Sequence, residues 1–161
     1  MAGGYKLFGP TFKSTDALRV AYEGTLNGLH TIDVEGLAGE EELAGKFAKI
    51  GEKGVTLAGD GEAAVGIFRE DLADMVNASE KATFYFRGGE YYVAMERTGL
   101  SSLEDIKPGD EVQVGENGKL VKKDSGVAVG VVTSVGSFKA GNMYEHAAAK
   151  DGNYIGFILY V

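Results

Sequence analysis

Residues 115–130 read GENGKLVKKDSGVAVG, and residues 51–66 read GEKGVTLAGDGEAAVG. The offset between them is 115 minus 51, or 64 positions. Extended without a gap to 45–66 against 109–130, the alignment holds eight identities in 22 positions. Four are glycines: Gly45/Gly109, Gly51/Gly115, Gly54/Gly118 and Gly66/Gly130. The others are Glu52/Glu116, Asp60/Asp124, Ala64/Ala128 and Val65/Val129, while Ala48/Val112, Ile50/Val114, Leu57/Val121 and Ile67/Val131 keep their apolar type. Each copy reads as strand, glycine turn, strand, loop and a strand of small residues. Three short strands are marginal alone, so two copies are expected to share a core. The repeat carries no matched Ser, His or Lys pair, and its matched carboxylates, Glu52/Glu116 and Asp60/Asp124, fall in the turn and the loop, where Asp suits turn geometry. What is duplicated is architecture.

Outward from the repeat, the chain reads as β-structure throughout. Phe47–Ile50, Val55–Leu57, Ala63–Phe68, Glu111–Val114 and 127–135 have strand composition, and Asn117-Gly118 marks a hairpin turn because both residues tolerate positive φ. Residues 83–86 (TFYF) and 90–95 (EYYVAM) flank Arg87-Gly88-Gly89, which predicts a hairpin. In 68–76, Phe68, Leu72, Met75 and Val76 share one helical face, and Ser101-x-x-Glu104 has capping-box spacing. In the final run NYIGFILYV, apolar residues fall on both parities, as in a strand that is buried on both faces or closes a barrel. Residues 1–40 show no sustained period. They are either an extension covering one edge of the core or an arm that lies on a partner.

Composition narrows the chemistry. The chain has 161 residues, 25 of them Gly and 2 Pro, a net charge of −8 and no Cys or Trp. Glycine between short apolar runs means many tight turns. Lysines scattered among acids do not make the basic patch that grips nucleic acid. No stretch is long and apolar enough for a membrane span, and the start shows no signal-peptide core. Without Cys there are no disulfides, no thiolate catalysis and no Cys-based zinc site. His30 and His146 lack a recognisable metal or triad partner in sequence. The loop Asp60-Gly61-Glu62 lacks the alternating ligands of an EF-hand. The expectation is therefore no cofactor, no metal and no catalytic residue. Phe84, Tyr85, Phe86, Tyr91 and Tyr92 read either as core or as a protein contact.

The run IKPGDEVQVGENGKLVKKDSGVAVGVV resembles the capsid decoration (cement) proteins of tailed bacteriophages. The matching residues are Pro108-Gly109-Asp110-Glu111-Val112, Gly118-Lys119-Leu120-Val121 and Val129-Gly130-Val131-Val132. The likeness covers about 100–161, and 43–95 weakly through the repeat. It implies a small β-barrel or β-sandwich that forms a homotrimer on the outside of an icosahedral capsid. There it would clamp neighbouring copies of the major capsid protein, as a virion component made in the host cytoplasm, with no enzymatic role.

The expected organisation is mostly β, with one or two short helices. It comprises an N-terminal arm (1–40), a first β lobe (41–97) and a second (98–161) sharing its core. Tyr5, Phe8 and Phe12 in the arm are the candidate capsid contacts. The rival readings are a β-barrel module binding carbohydrate or peptide, and a small hydrolase whose carboxylates pair only in the fold.

Overall fold

A computed structural model of the chain describes residues 23–25, 32–69, 71–73, 83–85, 89–138 and 152–160. The described residues are mostly β, with ten strands in two antiparallel five-stranded sheets. The first contains β1 (Glu23–Thr25), β2 (Phe47–Gly51), β3 (Gly54–Leu57), β4 (Gly66–Phe68) and β5 (Thr83–Tyr85), in the order β1-β5-β4-β2-β3. The second contains β6 (Glu90–Ala94), β7 (Glu111–Val114), β8 (Leu120–Lys122), β9 (Gly130–Phe138) and β10 (Gly152–Leu159), in the order β6-β10-β9-β7-β8. The two orders are the same path walked twice. The duplication therefore extends past the alignable 22 residues to two whole sheets.

Register matches as well as order. Phe47 faces Ile67 and Ala48 faces Gly66; 64 residues on, Glu111 faces Val131 and Val112 faces Gly130. The flanking backbone bonds repeat too. The Phe68 amide donates to the Lys46 carbonyl at 2.8 Å, and the Val132 amide to that of Asp110 at 2.8 Å. Gly45 and Gly109 donate to the Phe68 and Val132 carbonyls, and both hold positive φ, 89° and 93°, a conformation glycine adopts at no steric cost.

The hairpins differ by one residue. β2 and β3 close on Gly51↔Gly54, leaving Glu52-Lys53 as a two-residue turn. The second turn is a 3-10 segment, Glu116–Gly118, with Asn117 at φ 56° and Gly118 at φ 70°. It is closed by the Gly115 amide on the Lys119 carbonyl at 2.7 Å. The extra residue moves the pairing, so Val112 faces Lys122 where Ala48 faces Leu57.

The second sheet is built on its own buried face: Val112, Val114, Leu120, Val129, Val132, Ile155, Phe157 and Leu159. Phe47, Ala58, Ala64 and Ile67 of the first copy join that same cluster, with the Phe47 and Phe157 rings 6.0 Å apart at 64°. The opposite face of β2 and β4 sends Ala48 and Phe68 into a separate cluster with Ile32, Leu37, Leu43 and Val55. The sheets thus stack in the same sense, the back of the first on the front of the second. β10, between β6 and β9, is buried at four consecutive residues, Tyr154 to Phe157, and opens to the outer face at Ile158.

Several expectations are corrected. Residues 83–86 and 90–95 do not form a hairpin. β5 pairs with β1 and β4, while β6 pairs with β10 over five residues, because each closes its own copy of the sheet. The change from the first sheet to the second falls between Tyr85 and Glu90. Within residues 1–40, where the sequence leaves an edge-covering extension and an arm both open, β1 is the edge strand of the first sheet and Ile32 bridges Val55 of β3. Phe68 is strand, not helix; Leu72 and Ala73 are helical, and the rest of that stretch lies outside the described residues. The strand expected over 63–68 is confined to Gly66–Phe68, and that over 127–135 begins at Gly130. The cap at 101–104 is displaced by one residue. Ser102 Oγ accepts from the Glu104 amide at 3.1 Å and starts a 3-10 turn, Leu103–Asp105, too short for the reciprocal Glu contact.

Candidate functional site

Tyr5, Phe8, Phe12, His30 and His146 lie outside the described residues. Among the described residues, no group of three or more His, Asp or Glu is placed to hold a metal. No described helix is long and apolar enough to cross a membrane. Asp60 and Asp124 sit in loops, as their residue type suggested. The Asp124 amide and the Gly126 amide both donate to Gln113 Oε1 at 2.8 Å. At the equivalent place in the first copy, Lys49 Nζ meets Glu62 Oε2 at 2.7 Å, and that oxygen also accepts from the Gly59 amide. These two bonds hold the Glu62 carboxyl below the usual carboxylate range. The two loops then meet: the Gly61 amide donates to the Val114 carbonyl at 2.8 Å, and the Val127 amide to the Gly61 carbonyl at 3.0 Å.

The strongest ionic group joins the copies. Arg97, in the 3-10 turn Met95–Arg97 after β6, places Nη1 2.8 Å from Asp71 Oδ1 and Nη2 3.2 Å from Oδ2. Nη1 also reaches the Ala44 carbonyl, and Nε lies 3.5 Å from Glu42. Asp71 Oδ1 further accepts from the Leu43 and Ala44 amides. Burial opposes ionisation of Asp71, but Arg97 and those amides outweigh it and hold the carboxyl below its ordinary value. Both Asp71 oxygens and all three Arg97 nitrogens meet partners within the protein, so the pair acts as a clasp. Beside it, Lys46 is 6% exposed; burial pushes its amine down, and Glu40 partly restores it.

The aromatic cluster divides. Tyr91 is fully buried against Phe157, with centroids 6.3 Å apart, and is core. Tyr92 is half-buried on the opposite face, its ring over Gly156, where a Cβ would come within 2.7 Å. Of the side chains at 84–86 nothing is described.

On that outer face of the second sheet, apolar and acidic side chains are lined up by register. Glu111 faces Val131, Val131 faces Ile158, and Ile158 faces Glu90. Side chains directly across antiparallel strands share a face. Thr133 Oγ1 donates to Glu90 Oε2, and Tyr160 Oη to Glu111 Oε2 at 3.1 Å. Sequence reading missed Gln113, Asp71, Arg97 and this row. Gln113 could have been noticed as the repeat's change from Lys49. Asp71 and Arg97 are 26 residues apart and share no motif. No protein-family model and no curated protein matches the chain.

Proposed function

We propose that the protein is a non-enzymatic virion component that binds the outside of an icosahedral phage capsid as a trimer and stabilises it by clamping neighbouring major capsid proteins. The observation that carries the reading is the run Pro108–Val132, which resembles decoration proteins and folds as one unit: β7, the Asn117 turn, β8 and the start of β9. Two stacked copies of one sheet give a stiff body with broad faces. A trimer of such bodies spreads weak contacts over several shell subunits, and multivalency turns them into firm attachment. Residues 1–22, with Tyr5, Phe8 and Phe12, are the proposed arm, suited to adding a strand to a sheet edge of the shell.

The test is to mix purified protein with undecorated capsids and image the particles. Regular density at three-fold or quasi-three-fold positions is expected, with a light-scattering mass of three chains for the free protein. Bare shells, or a strict monomer at high concentration, would refute it. Deleting residues 1–14 should leave far-UV circular dichroism unchanged and strip the protein from shells; unchanged occupancy would exclude the arm.

A further inference from the structure

The duplication allows one face of the molecule to be interpreted through its copy. In the first sheet, the row Glu23–Tyr85–Ile67–Phe47 crosses β1, β5, β4 and β2 at one register. In the second, Glu90–Ile158–Val131–Glu111 crosses β6, β10, β9 and β7 in the same way. In the first row, Phe47 and Ile67 pack into the shared core, 0% and 1% exposed. The second row is open. Ile158 is 43% exposed, Tyr160 beside it 48%, Glu111 is exposed and Val131 half-buried. The same topological face thus makes a sheet-to-sheet interface in one copy and is left uncovered in the other.

Its composition has changed with its circumstances. Glu111 stands where Phe47 stands, so the open row carries an apolar pair, Val131 and Ile158, between two carboxylates, Glu111 and Glu90. Thr133 and Tyr160 bond those carboxylates and keep them on the face. Two copies meeting through this face would gather four carboxylates around one apolar patch, in a chain already at −8. Like charges held close are costly. A partner that sets apolar side chains between Lys or Arg would instead gain both contact and charge complementarity. A row four strands wide spans about 14 Å, half the roughly 28 Å side of a square patch of the about 800 Å² each partner buries in a one-to-one interface, but sufficient when three copies attach together.

We propose that this outer face of the second sheet is the docking surface for the capsid protein, met by a basic-flanked apolar patch on the shell. The assignment rests on the decoration reading above and places a second contact beside the arm. The experiment titrates undecorated capsids with wild type, Ile158→Asp and Glu111→Lys, reading bound protein by co-sedimentation at low and high salt. Folding is checked first by the urea midpoint, because Asp at 158 would face Glu90; Glu111→Lys serves if Ile158→Asp does not fold. Each variant is expected to weaken binding about tenfold or more, and salt to weaken wild type more than Glu111→Lys. If folded variants saturate shells at wild-type concentrations, the face is wrong while decoration stands. If wild type itself leaves shells bare, the decoration reading falls and this assignment with it.

Discussion

Gly118 and Gly109 show how much a single backbone position can carry. Both have positive φ, 70° and 93°, so any Cβ is strained at either. At Gly109 a Cβ would meet nothing within 4 Å, whereas at Gly118 it would come within 2.7 Å of Leu57 Cδ2 and 3.0 Å of the Phe47 carbonyl. Gly118→Ala should therefore cost about 2–3 kcal/mol and Gly109→Ala about 1 kcal/mol, measured by urea unfolding; equal costs would contradict the close approach. Asp71 belongs to the same scale. Its folded pKa is depressed, so its contribution is fully present above the carboxyl's unfolded value and is lost as pH falls through the folded one. The side chain is 36% exposed, so solvent screening limits the gain to about 1 kcal/mol. Asp71→Asn should lose that much at neutral pH and show a shallower decline in acid; an unchanged acid limb would exclude the clasp as its source.

At the scale of the element, the two hairpins show how turn chemistry sets register. Glu52-Lys53 closes a two-residue turn, while the longer Glu116–Gly118 turn shifts β8 by one residue against β7. The loop that follows β8 is held by one side chain, since Gln113 Oε1 takes both the Asp124 and Gly126 amides. Gln113 is 6% exposed, so its replacement by Met, similar in volume, strands two amides with little change in packing. A loss of about 1–3 kcal/mol is expected, with faster hydrogen exchange at Asp124 and Gly126. Exchange left as in wild type would show that the loop is held by something else. The strands themselves were legible from composition and glycine spacing, as β7 at Glu111–Val114 shows. The capping box was not: Ser101 and Ser102 are adjacent, and only the 3-10 geometry of Leu103–Asp105 selects the second.

For the whole molecule, the decisive feature is that the cluster around Phe157 takes residues from both copies. Neither sheet has a complete core of its own there, so the two should unfold together. Circular dichroism and tyrosine fluorescence are expected to give coincident urea transitions; two separated transitions would refute the shared core. Phe47→Ala removes the ring that bridges the sheets and should cost about 3–5 kcal/mol while leaving the transition single. The open face of the second sheet follows from the same stacking, because back-on-front packing covers one copy of the face and not the other.

By itself the sequence determined the β class, the strand–turn–strand units and their doubling, because these depend on local composition and on a repeat visible over 22 positions. It also determined that disulfides and thiolate chemistry are absent, because the chain has no Cys. Only the tertiary structure decided that β6 leaves β5 to pair with β10, that Arg97 reaches Asp71, and that Phe47 is buried where Glu111 is exposed. Those outcomes depend on which sheet edge is free and which face meets another layer. Two copies with nearly the same letters can differ in both, since pairing and stacking are fixed by contacts between residues far apart in the chain.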